Sequence, residues 1–230
     1  MATIPSREKA LQECLASILP QADIINLYFN GWNGNIPHFA RHPKIRIFES
    51  EKEYGDLGDV GKFFLCEEWN NAYIFTTDDK IIYPGNHTKV MIETIEKYNR
   101  KAVISNHGRI FHTDRPCKTY YWDCKEFLGC LATVSSDRFV HEIGTGVMAF
   151  HTDTFKPTLE MFPRANMTDI YISIELNKLG IPRVVRAHRE YDYRISRNWP
   201  HAHSISQTLN KNDKIQTETI NAVTWKIHTL

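Results

Sequence analysis

Two adjacent carboxylates, Asp78 and Asp79, follow an unbroken apolar run, Ala72 to Thr77 (AYIFTT), within the sequence TTDDKIIYP. An acidic pair where a buried strand leaves its sheet stands where open α/β sheets bind ligands. Such a pair suits a hard divalent ion that is shared with phosphate oxygens. The same dipeptide is also ordinary chemistry for a solvated turn. Other reactive side chains recur at the ends of apolar segments. The block Ala2-Thr3-Ile4-Pro5-Ser6-Arg7 stands at the first strand end, and Gly58-Asp59-Val60-Gly61-Lys62 stands before the fourth. Asp169 comes behind Met167-Thr168, and His188 comes just after RVVRA.

The elements that must hold these residues alternate between strand-like and helix-like runs, the pattern of an α/β domain with a largely parallel sheet. Strands are expected over 1–5, 23–29, 44–48, 72–77, 102–105, 147–151 and 183–187. Ser6 is expected to cap a helix whose stripe is Leu11, Cys14, Leu15 and Ile18, ended by Pro20. A second helix is expected around 62–69. A third spans 86–98, with Val90, Met91, Thr94, Ile95 and Tyr98 on one face. A fourth covers 168–179, stopped by Gly180. After about Ser196 the composition turns to Asn, Ser, Thr, His and Lys, and reads as a tail or lid.

Composition narrows the class. The 230 residues are 42% apolar and 24% charged, which excludes disordered and fibrous chains. Lys and Arg number 28 against 27 Asp and Glu, a balance unlike that of a dedicated nucleic-acid-binding surface. No apolar stretch approaches the roughly 20 residues that span a bilayer, and the first residues do not read as a signal peptide. The five cysteines lack metal-site spacing and read as reduced thiols of a cytoplasmic protein. Two glycosylation tripeptides, at Asn86 and Asn166, are read as chance matches.

Taken in order, the first-strand block ATIPSR, GDVGK, TTDDKIIYP, GTGVMAFH, MTDIY and LGIP make residues 1–195 resemble the GT-A glycosyltransferases. The chain resembles in particular the family-2-like bacterial and viral enzymes that build surface polysaccharides. The resemblance implies a single GT-A domain over residues 1–230, with a mixed, mostly parallel central sheet flanked by helices. Residues 1–100 would form the nucleotide-sugar-binding half and 101–195 the acceptor-binding half, with 196–230 the tail or lid. It implies donor contacts from Thr3, Pro5, Arg7, Asn30, Asp59, Lys62 and Asp78. It implies a Mn²⁺ or Mg²⁺ ion on Asp78, Asp79 and His188, and Asp169 as catalytic base. The donor would be a nucleotide-sugar, UDP-linked before GDP- or dTDP-linked, and the acceptor a glycan or lipid-linked glycan met at most peripherally at a membrane. The chain could also be one part of a larger multi-domain transferase. A developing diphosphate charge calls for cations, and an attacking hydroxyl calls for one positioned carboxylate. One such carboxylate implies in-line displacement with inversion.

In one place the sequence departs from the family pattern. Where the acidic motif usually ends in its metal-binding aspartate, this chain has Lys80. Either Asp79 takes over, or Lys80 supplies positive charge directly to the diphosphate, or catalysis has been lost. The rival readings are therefore a sugar-nucleotide-binding module without turnover and a nucleotidyltransferase; against the second, ATIPSREK has no glycine. His107, with Gly108-Arg109, could line the acceptor side or be a structural turn histidine. The Gly144-Thr145-Gly146 backbone could approach a ligand. Trp32, Tyr120, Tyr121 and Trp122 could stack on sugars or fill the core. His201 and His203 could belong to a lid.

Overall fold

In the computed structural model, residues 1–200 and 212–230 are described; His201 and His203 lie outside them. Three parallel strands, β1 (Ala2–Thr3), β2 (Ile25–Phe29) and β3 (Ile45–Glu49), form one sheet in that order. A second sheet has five strands in the order β4 (Tyr73–Thr77), β11 (Val147–His151), β6 (Val103–Ser105), β12 (Arg183–Val185) and β9 (Arg138–Phe139). A parallel bridge between Ala2 and Asp78 joins the two sheets. Their seam therefore brings together the carboxyl ends of β1, β2 and β4.

The sheet is mixed rather than mostly parallel. Only β6 and β12 pair in parallel within the five-stranded sheet; β4–β11, β11–β6 and β12–β9 are antiparallel. A parallel neighbour needs a long crossover, usually a helix. Between β6 and β11 the chain instead folds back through β7 (Gly108–Ile110), β8 (Glu126–Leu128) and β10 (Glu142–Ile143), an antiparallel sheet in the order β10–β7–β8. Strand β11 thus returns beside β6 in the opposite sense. A short ribbon of β5 (Ile81–Ile82) and β13 (Arg194–Ile195) lies just beyond the acidic pair.

Helix α1 (Glu8–Ile18) buries the expected stripe of Leu11, Cys14, Leu15 and Ile18 against β2 residues such as Leu27 and Phe29. It follows a 3₁₀ turn over Pro5–Arg7, and no side chain caps it, so Ser6 does not act as expected. Helix α2 (His87–Lys97) buries Met91 and Ile95 against Ile104, Ala149 and Val184. Helix α3 (Thr168–Lys178) packs beside β10 and buries Ile172 and Leu176. The helix expected over 62–69 is instead two 3₁₀ turns, Gly58–Phe63 and Cys66–Glu68, parted by Leu65 at φ +59°. Gly61 lets the first of them pack against β2, since a Cβ there would lie 2.8 Å from the Tyr28 ring.

Past residue 196 the expected tail is partly an ordered element. Helix α4 (Lys214–Asn221) buries Ile220 in a cluster with Phe111, Tyr120 and Ile170. All five cysteines are free thiols, four of them buried. Among the described residues, no helix is long and apolar enough to cross a membrane.

Candidate functional site

A cleft of about 920 Å³ opens over the seam between the sheets. Thr3, Arg7, Asn30, Asp59, Lys62, Asp78, Asp79 and Asp169 all line it, so residues up to 166 positions apart in the chain converge there. Pro5 and His188 do not line it. Pro5 opens the 3₁₀ turn that leads into α1, where its fixed φ is suited to a first helical position. The His188 ring lies between two backbone carbonyls, with Nδ1 2.8 Å from Arg186 O and Nε2 3.1 Å from Gly129 O. Whichever nitrogen carries the proton donates to a carbonyl, and the ring lies outside the cleft that holds the acidic pair, which corrects its expected role as a metal ligand.

Asp78 is delivered by β4 and held by two lysines. Lys62 Nζ lies 2.6 Å from Oδ1 and Lys80 Nζ 3.2 Å from Oδ2. Burial would raise the Asp78 carboxyl, but Lys62 and then Lys80 outweigh it and hold it far below its ordinary range. Lys62 is itself buried, and its ammonium is kept charged by Asp78, Asp59 and Asp169. The close packing around Asp78 depends on Gly146, where a Cβ would sit 2.6 Å from Asp78 Oδ2. The glycine pair of Gly144-Thr145-Gly146 therefore makes room for this protein's own side chains: Gly146 for Asp78 and Gly144 for His107.

Asp79 is 1% exposed, and its Oδ1 pairs with Arg7 at 3.0 Å. Burial raises its carboxyl, and Arg7 offsets this only in part. Two other residues turn out to be scaffold. Asn30 spends its side chain on the loop before Lys62, donating to Gly58 O and accepting from Leu57 N. Asp59 accepts from Asn166 N, Thr168 N and Thr168 Oγ1, so it caps the start of α3 from a distant loop. Burial raises its carboxyl despite nearby Lys62.

The first turn of α3 carries Asp169. Its Oδ1 accepts from Thr145 N at 2.7 Å and from Thr145 Oγ1 at 2.6 Å. Its Oδ2 has no hydrogen bond among the described residues. Thr145 also meets Thr168 Oγ1 and Lys62 Nζ, which makes it the hub linking base candidate and cation cluster. Its spacing carried no signal for that role beyond the two flanking glycines.

The far wall is aromatic. Tyr120, Tyr121, Trp122 and Phe127 line the cleft, Trp122 and Phe127 at 75% and 55% exposure and Tyr120 nearly buried, whereas Trp32 is a core residue. Arg109 lies under them, its guanidinium 4.2 Å from the Tyr120 ring centre. His107 also lines this side, and burial lowers its pKa to about 4, so it is neutral at pH 7.

The donor set does not fit the Mn²⁺ or Mg²⁺ ion expected above. Both Asp78 oxygens are already held by ammonium groups, and His188 is elsewhere. Among the described residues no group of three or more His, Cys, Asp and Glu side chains could hold a metal. A cation entering here would have to displace Arg7, Lys62 or Lys80 from the carboxylates they already pair with. Like charges about 4 Å apart near a protein surface repel by about 4 kcal/mol. No protein-family model matches the chain, and no curated protein matches it in sequence.

Proposed function

We propose that this chain is an inverting glycosyltransferase of the GT-A type, moving a sugar from a nucleotide-sugar to a glycan or lipid-linked glycan. A UDP-sugar is the first choice of donor, and the cytoplasm, with at most peripheral membrane contact, the place of action. The observation that carries the reading is one carboxylate, Asp169, anchored by a single oxygen and lining the same cleft as a cluster of cations.

In this reading the diphosphate lies beside Arg7 and Lys80, and the acceptor lies between Asp169 and the aromatic wall. The acceptor hydroxyl gives its proton to Asp169 Oδ2 as its oxygen attacks the anomeric carbon. The bond from that carbon to the phosphate oxygen breaks with inversion, and the nucleoside diphosphate leaves with the electron pair. Cations stabilise that charge, which develops only in the transition state. A covalent double displacement would need a second carboxylate on the opposite face of the sugar, and the reading assigns none.

The test is release of free nucleoside diphosphate from a panel of UDP-, GDP- and dTDP-sugars, with and without glycan acceptors. Release from one donor, reduced about 10²- to 10⁴-fold in Asp169→Asn, supports the reading. A protein that binds a nucleotide-sugar but never releases diphosphate with any acceptor is a binding module instead.

A further inference from the structure

Resting on the glycosyltransferase reading, we infer that Lys80, backed by Lys62 and Arg7, carries the charge of the donor's diphosphate in place of a divalent metal ion. Three side-chain cations are ion-paired directly to Asp78 and Asp79, with Asp59 and Asp169 acting on Lys62 from farther off. Both Asp78 oxygens are thus already taken by ammonium groups before any ligand arrives. A divalent cation would have to displace ammonium groups from Asp78 and add charge of the same sign. A diphosphate brings the opposite sign to a site already organised for it.

Lys80 is the member best placed to reach a ligand. Its side chain is 27% exposed, against 14% for Arg7 and 5% for Lys62, and it lines the cleft. Its position is held at three points. The Lys80 carbonyl accepts from Ser196 N at 2.8 Å, its ammonium meets Asp78 Oδ2, and that ammonium lies 5.3 Å from the Trp199 ring centre. Asp78 thus works as an anchor that orients two lysines. An ammonium has three donors, so Lys80 can keep Asp78 while donating to phosphate oxygens. The leaving group departs with its electron pair toward this ammonium, and no proton need be transferred to it.

Calorimetric titration of the full chain with UDP, GDP and dTDP, each in EDTA and in MnCl₂, tests this. The expected result is that one nucleotide binds in EDTA, with Mn²⁺ tightening it by less than about threefold. Lys80→Met should then weaken binding in EDTA by about tenfold or more, and Lys80→Arg should restore most of it, the scale of one charge-assisted hydrogen bond. Thermal melting of each variant shows that it is folded. Tightening by Mn²⁺ of about threefold or more overturns the inference and leaves the transferase reading standing, as does wild-type affinity in a folded Lys80→Met. Failure of the folded wild-type chain to bind any of the three nucleotides overturns the transferase reading itself.

Discussion

Asp169 and Thr145 are joined twice through one carboxylate oxygen: Oδ1 accepts the Thr145 amide at 2.7 Å and its hydroxyl at 2.6 Å. The carboxylate is thereby fixed in rotation while Oδ2 takes no hydrogen bond among the described residues, and the residue lines the cleft. A general base needs that combination, a fixed direction and an unspent lone pair.

Asp169→Asn keeps an oxygen that can accept both Thr145 bonds, so it should fold normally yet lose about 10²- to 10⁴-fold in kcat. Thr145→Val removes only the hydroxyl bonds and should lower kcat about tenfold, with KM nearly unchanged. Steady-state kinetics with the identified donor would separate them. A Thr145→Val enzyme with raised KM and normal kcat would contradict the orienting role.

Asp59 lines the cleft but spends both oxygens on the start of α3. Asp59→Ala should therefore cost about 1–2 kcal/mol of stability, as removal of a helix cap does. Urea unfolding measures this. A stable variant with changed nucleotide preference would show instead that Asp59 reads the nucleotide.

Gly146→Ala places a Cβ 2.6 Å from Asp78 Oδ2, in a site where lysines hold both Asp78 oxygens. Something must shift, at a cost of about 1–3 kcal/mol, and Asp78 is the atom group in the way. The expected variant melts lower and binds nucleotide more weakly. Equal nucleotide affinity would mean that the anchor is not needed.

Glu142 gives a pH signature. It is 1% exposed, accepts from Tyr120 Oη at 2.9 Å, and burial raises its pKa to about 7 although Arg109 opposes this. The folded protein then binds more protons than the unfolded chain between the ordinary carboxylate range and pH 7. Stability from this group is complete at the acid end of that window and is lost as pH rises through about 7, by about 3 kcal/mol in all. Glu142→Gln should flatten that slope in urea unfolding series at several pH values. Asp78 acts in the opposite direction and lower down: its carboxyl is depressed, so its stabilisation is lost as pH falls below the usual carboxylate range.

The acidic pair at the end of a strand, the stripe of α1 and the aspartate opening α3 were legible in the sequence, although that strand is a half-buried edge strand rather than a buried one. Each is set by local periodicity or by a few adjacent residues. Tertiary structure decided what those residues do. Strand β11 runs antiparallel because no helical crossover precedes it, which one-dimensional alternation does not encode. Asp59 became a cap for a helix 109 residues away, and Lys62 reached Asp78 from a turn that Gly61 lets press on Tyr28. His188 stands at the end of the last expected strand, but its ring turns to the carbonyls of Arg186 and Gly129. Residue types name the charges in a site; only the packing of distant segments sets which charges lie within a few ångströms of one another. Because Coulomb energy depends on that separation and on burial, the partners of Asp78 were decided by the fold.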